Sequence, residues 1–182
     1  MLLALGVSAA LAGCAGSQGL LDGDDFDGLV KIVQDDDVIL PGATWCGLYV
    51  DVWAEGPWHM STLMFDDGTW AAAMIVDRTA DGESAAETMQ RIDEDAARCP
   101  EDTWAVQEGH SIEPLDGLAE GELGWRTREA NGRWGEYVLV PLDEWRFLAV
   151  GFETDQEQPP VDMDELVSRA KEGAARFPND GG

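Results

Sequence analysis

Ser84 and Glu87 head the best-marked segment of this chain. Their spacing is a capping box, in which a hydroxyl and a carboxylate satisfy N–H groups that a helix start leaves open. Behind them Ala85, Met89, Ile92, Ala96 and Cys99 step by 4, 3, 4 and 3, so they share one helical face. Arg91, Asp93, Glu94 and Asp95 fall on the other faces, and Pro100 stops the run. A helix of this length holds only against an apolar partner. The chain on either side must therefore supply a surface.

It supplies strands. Leu48, Val50 and Val52 alternate with Tyr49, Asp51 and Trp53, which predicts a strand from Trp45. Gly56-Pro57 turns the chain, and His59–Phe65 and residues 70–77 form two more strands around the hairpin signal Asp67-Gly68. After the helix, strands are expected at 104–112 and 121–129, with Leu123, Trp125 and Thr127 on one face. Asn131-Gly132 then leads into Trp134–Pro141, and a tight turn at Asp143-Glu144 into 145–153. A second capped helix, 162–177, follows the loop at 154–160 and ends at Pro178.

The two helices correspond at a shift of 78 residues. Ser84 falls on Asp162, Glu87 on Glu165, Met89 on Val167, Ile92 on Ala170 and Ala96 on Ala174, while Phe177 stands where the first copy has Cys99. Trp70 and Trp145 correspond at a shift of 75, each opening an apolar strand. Hairpin, strand and helix thus occur twice. The pattern predicts an α+β fold: a two-layer antiparallel sheet with two helices packed on one face and an internal duplication, in one domain over residues 41–178.

The N-terminus points outward from the cell. Residues 1–13 carry no charge and are too short to cross a bilayer, which takes about 20 apolar residues. They read as a signal-peptide apolar region. Leu11-Ala12-Gly13-Cys14 resembles the lipobox of bacterial lipoproteins. The resemblance implies cleavage before Cys14, a diacylglyceryl group on its thiol, and a stable anchor on the extracytoplasmic face of the membrane. No Lys or Arg precedes the apolar run, a departure from the positive start of such signals. Residues 14–40 read as an acidic tether. Phe26, Leu29, Val30 and Val33 suggest a short helix inside it. The acids at 22, 24, 25 and 27 do not make a calcium loop, because Phe26 takes the fifth place and no Glu the twelfth.

With Cys14 assigned to lipid, Cys46 and Cys99 remain as an even pair in an oxidising compartment, where a disulfide is the default. Closing that loop would stabilise by about 4 kcal/mol in the chain-entropy picture. Two free buried thiols or a metal pair are the alternatives, and the latter lacks His at ligand spacing. Thirty-seven acids against eleven bases give a net charge of −26, which repels nucleic acid and anionic membrane alike.

Chemistry is sparse in the pattern. His59 and His110 sit in no metal or G-x-S-x-G context, no nucleotide-binding glycine motif occurs, and no catalytic residue, metal site or cofactor is assigned. Trp53 and Trp58 flank a turn, where exposed rings would suit an apolar or sugar ligand. Trp70 and Trp145 are expected in the core.

The lipobox, the acidic tether, Pro41 before Trp45-Cys46, the Cys-ended alanine-rich helix and Gly-Glu-Leu-Gly-Trp-Arg at 121–126 occur together. In this combination the chain resembles actinobacterial lipoproteins related to the extracellular sensor domain of PknH-type Ser/Thr kinases. The resemblance implies an extracytoplasmic α+β domain, a Cys46–Cys99 disulfide and a ligand-binding cleft. It departs in having one cysteine pair instead of two, and no kinase domain. The expected function is that of a membrane-anchored, non-enzymatic lipoprotein binding a small ligand or an envelope protein. A carboxylate-based cell-envelope hydrolase and an acidic scaffolding protein are the alternatives.

Overall fold

The computed structural model describes residues 19–27, 29–33, 59–77, 82–98 and 109–178. Seven strands and two helices run in the order β1 (Leu29–Val33), β2 (His59–Phe65), β3 (Trp70–Val76), α1 (Ala85–Arg98), β4 (Ser111–Pro114), β5 (Leu123–Arg128), β6 (Trp134–Pro141), β7 (Phe147–Thr154) and α2 (Met163–Ala174). The strands form one antiparallel sheet in the order β1-β2-β3-β7-β6-β5-β4. The α+β class is as expected. The strand expected from Trp45 lies outside the described residues.

The layering differs from expectation. Side chains alternate across a strand, and the central strands β3 and β7 are buried at almost every position. Ala71, Ala73 and Ile75 with Leu148, Val150 and Phe152 face Leu166, Ala170 and Ala174 of α2. Met74 and Val76 with Phe147 and Ala149 face Met89, Ile92 and Ala96 of α1. The helices therefore lie on opposite faces, in three layers. The physical reason is that β3 and β7 carry no polar alternation, so a single layer of helix would leave one apolar face in water.

Local signals are realised where they are strong. The Ser84 N–H donates to Glu87 Oε2 at 2.9 Å, and the Glu87 N–H to Ser84 Oγ at 3.3 Å. The Ser84 N–H, and the Ser84 hydroxyl donating to the same oxygen at 2.7 Å, hold the Glu87 carboxyl below its usual range. Asp162 caps α2 by accepting from the N–H groups of Asp164 and Glu165. Gly132 adopts φ +94°, as the Asn-Gly turn requires.

Three segments depart from expectation. Residues 29–33, expected as a helical turn, form a strand paired with β2. Val30, Ile32 and Val33 are β-branched, and their rigid rotamers fit a strand better than a helix. Gly23–Asp25 makes a single 3-10 turn. Residues 20, 21, 26 and 29–33, expected in an acidic tether, pack as part of the fold. Leu20 and Leu21 are each 1% exposed, and Phe26 meets Phe65 edge to face. Finally, Trp145 is not core. Asp143 Oδ1 accepts from the N–H groups of Trp145 and Arg146, both at 3.0 Å, so the turn extends to Arg146 and leaves Trp145 at its tip, 47% exposed.

Candidate functional site

Cys14, Cys46, Cys99, Trp53 and Trp58 all lie outside the described residues. His59 is half-buried on β2 and stacks on Phe177 with ring centroids 4.2 Å apart, a packing role. His110 precedes β4 and is likewise half-buried.

The described residues instead form a cleft between α2 and the loop joining β4 to β5. It starts from a glycine. A Cβ at Gly124 would meet Leu118 Cδ1 at 2.9 Å and Leu115 Cδ1 at 3.2 Å, so this bare position lets the loop fold back over β5. The Leu115 N–H bonds to Gly124 O at 2.8 Å and fixes the return. The resulting space is about 320 Å³, near the lower end of ligand sites. Val138, Met163, Val167 and Leu118 supply apolar lining, while Asp164, Ser168, Lys171 and Glu122 supply the polar part.

One ion pair ties the two walls together. Lys171 Nζ on α2 lies 2.6 Å from Glu122 Oε1 on the loop. Glu122 Oε2 accepts from the Ala119 N–H at 3.1 Å, so both oxygens of this carboxylate are engaged. Its side chain is only 9% exposed, against 43% for Lys171. The pair acts as a clamp on the loop, with the lysine end still facing water.

Ser168-Arg169-Ala170-Lys171 has the Ser-x-x-Lys spacing of some acyl-transfer sites. That signal stands in the sequence, and both of its residues line the cleft. The geometry does not make it a nucleophile–base pair. Lys171 Nζ is engaged by Glu122 across the cleft. Ser168 is the sixth residue of α2, where N–H groups are consumed within the helix and none is open to hold an oxyanion. Among the described residues, no group of three or more His, Cys, Asp or Glu is placed to hold a metal.

The opposite face of the sheet carries the perturbed ionisable groups. Tyr137 lies over two bare positions: a Cβ at Gly151 would come 2.5 Å from its ring, and one at Gly135 would come 2.8 Å from its hydroxyl. That hydroxyl is buried without a hydrogen-bond partner of full geometry. Burial drives the phenol far above its ordinary pKa and the Glu153 charge adds to this, while Thr127 and Arg133 pull the other way. Its one hydrogen-bond partner, the Thr127 side chain, falls short of full geometry and does not offset burial of the polar group. Tyr137→Phe is expected to leave stability unchanged or raise it by about 1 kcal/mol. A loss of that size in urea unfolding would show the hydroxyl to be bonded.

Glu153 sits beside Arg133, with Nε to Oε1 at 2.8 Å. Burial nevertheless raises its pKa above the ordinary 4.5, with Glu129 adding to the rise and Arg133 opposing it. The folded protein then keeps this proton to higher pH than the unfolded chain. The stability it contributes is full below 4.5 and is lost as pH climbs through the raised value. Wild type should thus lose stability relative to Glu153→Gln between acid and neutral pH. An unchanging difference across that window in urea titrations would contradict the assignment.

Comparison with protein-family models finds no match, and comparison with curated proteins finds none either.

Proposed function

We propose that this chain is a membrane-anchored, non-enzymatic lipoprotein whose extracytoplasmic domain binds a small ligand in the cleft between α2 and the β4–β5 loop. The observation that carries the binding half is the cleft itself, with its apolar lining, its polar part and its two walls tied by Lys171 and Glu122. Leu11-Ala12-Gly13-Cys14 carries the anchoring half, and the resemblance to PknH-type sensor domains agrees with both. The ligand that fits is small, largely apolar and uncharged, seated on Met163 and Val167, because Glu122 and Asp164 line the cleft and Lys171 is already paired.

The hydrolase alternative needs two carboxyls in one cleft, one of them held protonated. Glu122 and Asp164 do line the cleft, but Glu122 is taken up by Lys171 and Ala119. The carboxyl that burial raises is Glu153, on the far side of the sheet. The internal duplication gains support from the strand order, in which β3, β2 and β1 on one side of the β3–β7 seam match β7, β6 and β5 on the other, with β4 left over. It loses support from the helices, because a two-fold through that seam would place both on one face.

Two measurements test the reading. Labelling with a fatty-acid probe followed by mass spectrometry should find the acyl group at Cys14; a soluble, unlipidated mature protein would sink the anchor. N-phenyl-1-naphthylamine, an uncharged apolar ring system, should bind saturably, and Ser168→Trp should abolish that binding by filling the cleft. Equal binding by the variant would rule the cleft out.

A further inference from the structure

We propose that one end of the domain, formed by Gly19, the 143–146 turn and Arg176-Phe177, rests on the bilayer surface, with the Trp145 ring as its interfacial anchor. This rests on the reading of Cys14 as acylated. The partner is a zwitterionic phospholipid surface.

Covalent reach sets the geometry. Four residues, 15–18, separate Cys14 from Gly19. Five Cα steps span at most roughly 18 Å. Gly19 is held in place: its carbonyl accepts from Arg176 Nη2 at 2.6 Å. Leu20 and Leu21, next in the chain, are fully packed in the core. The domain therefore begins almost at the lipid, without a long acidic spacer between them.

The same end carries Trp145. Arg146 Nη1 donates to the Phe177 carbonyl at 2.7 Å, so the 143–146 turn lies against the chain just after α2. Arg176, which holds Gly19, is the neighbour of Phe177. Gly19 and the Trp145 turn are thus joined through two consecutive residues. Among the described residues Trp145 is the one large hydrophobic side chain exposed to solvent. An indole with an apolar body and a polar N–H suits the headgroup layer. The turn also presents Asp143 and Glu144, and the chain carries −26, so the surface it suits is zwitterionic and not anionic.

The cleft starts at Met163, at the end of α2 away from Arg176, and runs along the helix as far as Lys171.

The test uses the acylated full chain in phosphatidylcholine vesicles containing lipids brominated near the headgroup. The difference in fluorescence between wild type and Trp145→Phe isolates the one ring, and circular dichroism confirms that both fold alike. The expected result is a loss of that difference signal of at least about twofold on bromination. If mass spectrometry confirms the acyl group while the signal is unquenched by bromine and still quenched by acrylamide, the anchor stands, the docked end is wrong, and Trp145 is left open for a protein partner. If Cys14 is unmodified, the anchor reading falls, and this inference with it.

Discussion

Ile92→Ala and Leu166→Ala should each destabilise the protein by about 2–5 kcal/mol, and their effects should add. Both side chains have no solvent exposure. Ile92 packs from α1 against Met74, Val76, Phe147 and Ala149. Leu166 packs from α2 against the set that includes Ile75, Leu148, Val150 and Phe152. The sheet separates them and, among the described residues, their buried neighbours form two distinct clusters, so removing one leaves the other's cluster intact. Two helices on one face would instead share a core and couple. Urea unfolding of the two single variants and the double variant, followed by tryptophan fluorescence, decides between these layouts. Departure from additivity by more than about 1 kcal/mol, or a near-neutral single variant, would contradict the three-layer arrangement.

How much of this was readable in advance depended on range. The capping box at Ser84, the Asn131-Gly132 turn and the strands His59–Phe65 and Trp134–Pro141 are written within a few residues, and they fold as written. The layering was also present, but as an absence. Trp70-Ala71-Ala72-Ala73-Met74-Ile75-Val76 has no polar alternation, which marks a strand covered on both sides. The likeness of the two helices points to a common partner face, whereas that run requires a partner on each side. Trp145 resembles Trp70 in heading an apolar run, but Asp143 holds the turn for two residues longer, so the strand starts at Phe147.

The cleft was harder to see for a different reason. Its clamp joins residues 49 apart, Glu122 and Lys171, and no periodicity links a loop acid to a helix lysine. Gly124 was the available signal, a glycine inside a strand pattern that often marks close approach of another segment. Ser168 and Lys171 could be found by spacing, yet their chemistry could not, since it turns on the carboxylate that Lys171 meets. The anchor and the cysteine pair stay as the sequence presents them, because Cys14, Cys46 and Cys99 all lie outside the described residues.

Gly173→Ala is expected to reverse the sign that helix propensity assigns to it. In an ordinary helix interior this change stabilises by about 1 kcal/mol, since alanine loses less backbone entropy. Gly173 lies in the last turn of α2, buried against the N-terminal segment. A Cβ there would fall inside the van der Waals envelope of the Leu20 carbonyl, with Leu20 Cα only 2.9 Å away. The obstacle is backbone, so no rotamer change relieves it. Either α2 moves off the sheet or residues 19–21 lift away. The second course sacrifices the Arg176 bond to Gly19 and the burial of Leu20 and Leu21, each worth roughly 1.5–3 kcal/mol. A net loss of about 3 kcal/mol is the expected outcome, accompanied by new protease cleavage near Leu20 and Leu21 under native conditions. Glu172→Ala, one residue away on the exposed side of the same turn, should change stability by less than about 0.5 kcal/mol. If Gly173→Ala proved as harmless as that control, the N-terminal segment would not be part of the core, and the short reach from Cys14 to the domain would go with it.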